Sequence, residues 1–104
     1  MPEPQEAAAS PVHAPRLELE VPLPEHTGLL AIVQPDGRLD VFGYDCRHHR
    51  YLAGRGGRPL LRISGSWDRE KGQTRLAHDP RFTMRERDAL VRALRRADPA
   101  GGRA

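Results

Sequence analysis

Leu29-Leu30-Ala31-Ile32-Val33-Gln34-Pro35-Asp36-Gly37-Arg38-Leu39-Asp40-Val41-Phe42-Gly43 is the stretch that decides the fold. Two apolar runs rich in β-branched residues flank Gln34-Pro35-Asp36-Gly37. Pro35 sets φ for the first turn position, Asp36 can bond its own backbone, and Gly37 accepts a positive φ. The two runs are therefore predicted to meet across this turn as a β-hairpin.

Toward the N-terminus, Arg16-Leu17-Glu18-Leu19-Glu20-Val21 alternates strictly, the pattern of a half-buried strand, and Pro22 and Pro24 end it or mark it as an edge. Residues 1–15, with Pro2, Pro4, Pro11 and Pro15 among Ala, Glu and Gln, carry no apolar period and are expected to form a disordered acidic arm. Toward the C-terminus, a second hairpin is expected from Pro59-Leu60-Leu61-Arg62-Ile63-Ser64 through Trp67, across residues 68–72, and back along Thr74-Arg75-Leu76-Ala77. Residues 44–58 between the hairpins contain Gly54, Gly56 and Gly57 without periodicity and read as a loop.

Thr83-Met84-Arg85-Glu86 has the spacing of a capping box and predicts a helix from Met84 to about Ala97. Leu90, Leu94 and Ala97, flanked by Val91 and Ala93, fall on one arc; Arg85, Arg92 and Arg96 fall on the opposite one. Asp98-Pro99 and Gly101-Gly102 stop the helix, leaving residues 99–104 as an expected flexible tail. Trp67 is expected as a core or sheet-edge anchor, and Phe42 and Phe82 between helix and sheet. The chain thus reads as one α+β domain over residues 16–98: a small antiparallel β-sheet or partly open barrel of about five strands, covered by one C-terminal helix.

A length of 104 residues allows one domain and leaves too small a core for a large enclosed active site to be expected. No apolar run approaches the roughly 18 residues of a membrane span, and the N-terminus is acidic and Pro-rich instead of basic then apolar. The expectation is a cytoplasmic protein with no membrane partner. The single Cys46 cannot close an internal disulfide. The net charge of +3 hides a polarity. Residues 1–45 hold two arginines against eight acids, whereas residues 46–104 hold fourteen arginines and one lysine against six acids. Guanidinium forks suit phosphate and carboxylate recognition. Arginine also stands here at positions with no other sign of function, so clustering says more than residue type.

The densest cluster is Asp45-Cys46-Arg47-His48-His49-Arg50-Tyr51-Leu52-Ala53-Gly54-Arg55-Gly56-Gly57-Arg58. Three chemistries compete for it. In anion or nucleic-acid binding, Arg47, Arg50, Arg55 and Arg58 meet phosphates, Tyr51 or His49 offers a stacking surface, His48 belongs to the same contact loop, and the helical Arg85, Arg92 and Arg96 extend the patch if they lie on the same side. In metal binding, Cys46, His48, His49 and the distant His78 supply thiolate and imidazoles, although one Cys without a CxxC pair is sparse for a structural zinc site. In covalent catalysis, Cys46 beside imidazoles and guanidiniums becomes a thiolate nucleophile, although no orienting group or oxyanion donor is legible. The leading expectation is a non-enzymatic binding or accessory module that contacts an acidic protein surface or nucleic acid. It carries no cofactor and no catalytic residue. The alternative is a metal-binding or thiol-dependent protein centred on Cys46, His48 and His49.

Two strands leading into Cys46-Arg47-His48, then Ser64-Gly65-Ser66-Trp67-Asp68 with Gly72, resemble in order a Rieske iron–sulfur domain. There a CxH pair is followed by a CxxHG pair and an aromatic–Asp turn. Leu61 and Ser64 stand where the second Cys and His would be, so a [2Fe–2S] cluster would lack half its ligands. The resemblance implies at most a degenerate Rieske-like domain without a complete cluster site.

Overall fold

A computed structural model describes residues 16–24 and 26–98. The acidic arm and the C-terminal tail expected from the sequence lie outside the described residues. The elements in chain order are β1 (Leu17–Leu23), β2 (His26–Val33), β3 (Arg38–Asp45), β4 (Arg50–Tyr51), β5 (Leu61–Asp68), β6 (Gln73–Leu76) and α1 (Met84–Ala97). The strands form an antiparallel sheet in the order β1-β2-β3-β5-β6, with β4 pairing on β3 beside this path. Of sheet and barrel, the protein is an open sheet: among the described residues β1 pairs only with β2, and β6 only with β5.

The central hairpin forms as its turn chemistry demands. Gly37 takes φ +93°, its N–H donates to the Gln34 carbonyl at 2.8 Å, and Gln34 N–H donates to Arg38 at 2.8 Å. The register then runs from Val33↔Leu39 to Leu29↔Gly43. Because side chains alternate along a strand, this register puts Leu29, Ala31, Val33, Leu39 and Val41 on one face, and Leu30, Ile32, Phe42 and Tyr44 on the other. β1 adds Leu17, Leu19 and Val21 to the first face.

α1 covers that first face. Thr83 Oγ1 accepts from Glu86 N–H at 3.2 Å and Glu86 Oε1 accepts from Thr83 N–H at 2.8 Å, completing the expected capping box. Leu90 and Leu94 are fully buried against the sheet, each contributing roughly 1.5–3 kcal/mol by burial. Ala97, expected inward, is exposed; the last turn overhangs β1 and leaves this residue in a surface groove. Phe82 seals helix to sheet as expected. Phe42 does not: one residue on from the inward Val41, it packs on the opposite face with Tyr44.

Both ends of α1 are pinned to β5. A register shift between Val41 and Phe42 leaves Arg62 between the pairs Val41↔Ile63 and Phe42↔Leu61. The bulge re-aims Arg62 toward the helix, where it meets Glu86 at 2.9 Å and lies over the Phe82 ring at 5.6 Å. At the other end, Trp67 Nε1–H donates to Asp98 Oδ2 at 2.8 Å and Arg69 meets the same oxygen at 2.9 Å. An acid at a helix C-terminus opposes the helix dipole; these two donors offset that.

The structure also amends the reading of residues 44–58 as a loop. Tyr44 and Asp45 continue β3, Arg50 and Tyr51 form β4 against them, and residues Arg55–Gly57 make a 3₁₀ turn. No helix among the described residues is long and apolar enough to cross a membrane.

Candidate functional site

The excursion between β3 and β5 is built on Gly43. Gly43 N–H donates to Leu60 O at 2.8 Å and its carbonyl accepts from Leu52 at 3.0 Å, so one residue anchors both legs. Leu52 and Leu60 side chains close over the space a Cβ would need there, each at 3.2 Å. Farther out, Ala53 pairs with Pro59, and Gly56 and Gly57 take φ +68° and +74°, turning the chain at its tip. Arg55 and Arg58 therefore stand at the end of a braced two-legged projection, both exposed, along a depression of about 500 Å³ shared with Leu61.

The nearer part is a tight turn organised by one carboxylate. Asp45 accepts from Arg47 N–H at 3.0 Å and His48 N–H at 3.2 Å, and His48 Nδ1 lies 2.8 Å from its second oxygen. The His48 imidazole, against the opposing effect of burial, together with these backbone donors holds the Asp45 carboxyl below its usual range. His49 takes φ +56° and places Nδ1 2.9 Å from Glu20 of β1. That contact, across 29 residues of sequence, ties the turn to the sheet edge.

Cys46 sits inside this turn. A Cβ on Gly28, whose φ is +133°, would come within 2.5 Å of its Sγ, so the thiol fills the gap the glycine leaves. Burial, then the neighbouring Glu20 carboxylate, pushes the Cys46 thiol up from its usual value, outweighing the Leu29 and Val21 N–H groups that favour the thiolate. Cys46 is accordingly expected to react with Ellman's reagent at neutral pH more slowly than free cysteine, and Glu20→Gln to quicken it. A fast, acid-shifted reaction would instead restore the nucleophile reading.

Of the residues proposed as metal ligands, His48 and His49 already have a carboxylate each at Nδ1. His78 is exposed on the segment after β6. Among the described residues no three His, Cys, Asp or Glu side chains converge as a metal set.

Above the turn lies an aromatic group. Tyr51, 41% exposed, sits edge-on to Phe42 and to Tyr44, with ring centroids at 5.5 and 5.6 Å. Burial, then Glu20, pushes the Tyr44 hydroxyl up from its usual value, so it stays protonated. These rings occupy the sheet face opposite α1. Arg16, Arg62, Arg69 and Arg81 are held in ion pairs with Glu18, Glu86, Asp98 and Asp79. Among the described residues Arg47, Arg50, Arg55 and Arg58 have no acidic partner, and neither have Arg92 and Arg96.

The proposed basic patch is divided. Arg92 and Arg96 line a groove with residues 19–22 of β1, whereas Arg55 and Arg58 line the depression with Pro59, Leu60 and Leu61. Arg85 lies exposed in the first turn of α1 and is not free of partners. Sequence reasoning missed Glu20, which meets His49 and sits beside Tyr44 and Cys46; alternation placed it on the outward face, but no local signal names a partner 29 residues away. Compared with known proteins, the chain matches no family model, no curated protein and no solved structure.

Proposed function

We infer that this protein is a non-enzymatic binding module that takes an anionic partner, single-stranded nucleic acid, on its Tyr51 face. The observation that carries this reading is the exposed Tyr51 ring, held edge-on by Phe42 and Tyr44 and followed by Arg55 and Arg58 on a braced projection. An exposed ring offers a base a stacking surface, worth about 1–3 kcal/mol per base. Unpaired guanidiniums then track the phosphates. Helical Arg92 and Arg96 belong to another groove and are not part of this contact.

The competing thiol or metal reading draws no support from a packed, protonated Cys46 and two carboxylate-bound imidazoles. An acidic protein surface would use the same arginines but has no need of an exposed ring, which makes Tyr51 the discriminating residue.

Filter binding of a short oligo(dT) and oligo(U) tests this. Affinity is expected to fall steeply with salt. Arg50→Ala/Arg55→Ala/Arg58→Ala should reduce the log–log salt slope by about 2, at about 0.7 per lost phosphate contact. Tyr51→Ala should weaken binding about tenfold without changing the slope. Absent or salt-insensitive binding, or a Tyr51→Ala protein that binds as tightly as the wild type, would overturn the reading.

A further inference from the structure

The groove between α1 and the outer edge of β1 is separate from the Tyr51 face and is built differently. One wall is residues 19–22 of the end strand; the other is Ala89, Arg92, Ala93, Arg96 and Ala97 of the helix, around a space of about 420 Å³. Such a volume falls in the range of binding clefts. Among the described residues, β1 pairs on one side only. The outward N–H and C=O groups of an end strand are a template for a further strand; here the donors in the groove run only as far as Val21, because Pro22 has no N–H and offers its carbonyl alone. Three alanines in the helical wall keep the space above that edge shallow and unobstructed.

We propose that this groove binds an extended acidic peptide segment, which adds to β1 as a further strand and places alternate carboxylates on Arg92 and Arg96. Spacing supports the match. Residues four apart on a helix rise about 6 Å. Residues two apart on a strand are separated by about 6.6 Å and share a face. An acid-x-acid segment lying along β1 therefore presents its carboxylates at about the spacing of Arg92 and Arg96.

Charge favours the same occupant. Arg92 and Arg96 are exposed and have no carboxylate partner among the described residues. Glu20, the one acid along the groove, is engaged by His49 at 2.9 Å. A second copy of the chain fits less well. Pairing β1 with its own twin would bring Glu18 and Glu20 of both strands together on one face, where like charges repel. Their carboxylates would also lie on the face away from α1.

The test is a nitrogen-15 amide titration of the full chain with acetyl-Thr-Glu-Val-Glu-Thr-amide and with its Lys-for-Glu counterpart. Saturable shifts at Leu19, Glu20 and Val21 and at Ala89 and Ala93 are expected with the acidic peptide only. Arg92→Glu/Arg96→Glu, both exposed, should leave the spectrum folded and weaken binding by about tenfold or more. Arg50→Ala/Arg55→Ala/Arg58→Ala should leave peptide affinity unchanged, which separates this groove from the nucleic-acid face. Equal response to the lysine peptide, or no saturation at millimolar peptide, would overturn the proposal. So would concentration-dependent dimerisation through residues 19–22. Groove shifts on Glu3→Gln/Glu6→Gln without peptide would assign the groove to the chain's own N-terminal segment and overturn it as well.

Discussion

Gly65→Ala should lower the unfolding free energy by about 3–5 kcal/mol, beyond ordinary overpacking. Gly65 stands in β5 between Leu39 of β3 and Leu76 of β6. A Cβ there would overlap the Arg75 carbonyl oxygen and come within 2.8 Å of Leu76 Cα. Both are backbone atoms of the neighbouring strand, so no rotamer change relieves the clash. β6 would have to separate from β5 and give up the Trp67↔Thr74 and Gly65↔Leu76 pairs. Urea unfolding followed by circular dichroism measures this; a loss under about 1 kcal/mol would mean that the β5–β6 ladder yields more easily than a paired backbone should.

Glu86→Ala should be the next most damaging change, at about 2–4 kcal/mol. Glu86 is 4% exposed, closes the capping box through Thr83 and holds the re-aimed Arg62. Its removal uncaps the helix and leaves a guanidinium at the sheet–helix boundary without its counter-charge. The pH dependence separates these losses. Burial pushes the Glu86 carboxyl up, but the Thr83 N–H and Arg62 together outweigh burial and hold it below its ordinary value of 4.5. A carboxyl depressed in the folded state binds its proton more readily when unfolded. Its contribution is therefore complete above about pH 4.5 and is lost as pH falls through the depressed folded value. Glu86→Gln keeps an acceptor for Thr83 and loses the charge. Wild type should exceed it in stability at neutral pH, and the gap should narrow as the solution is acidified below that window. A gap constant with pH would mean that the ionised form contributes nothing.

How far the sequence could be read follows from the range of each signal. The central hairpin, the alternating β1 and the capped α1 are written in residues at most a few positions apart, and each appears where its pattern put it. The segment 44–58 defied reading because its order is supplied from outside: Gly43 binds both legs, and β4 is only Arg50 and Tyr51. A two-residue strand has no period to detect. Arg62 looked like an ordinary strand residue, since a bulge depends on the partner strand's register. For the site, the cluster of arginines and Tyr51 was visible as composition. Its separation from Arg92 and Arg96 was not, because which side of a sheet a helix stripe faces is a tertiary fact. The role of Cys46 turned on Gly28, eighteen positions away, whose missing side chain makes room for it.

The bond from Trp67 to Asp98 has one more consequence. Trp67 is the only tryptophan in the chain and is 2% exposed, with its indole N–H committed to the residue that ends α1. Its emission is therefore a built-in optical gauge of helix docking. Detachment of the last turn hydrates the ring and shifts its fluorescence to the red, even while the hairpin of β2 and β3 stays paired. Unfolding traced at this wavelength and by strand signal will coincide only if helix and sheet come apart together.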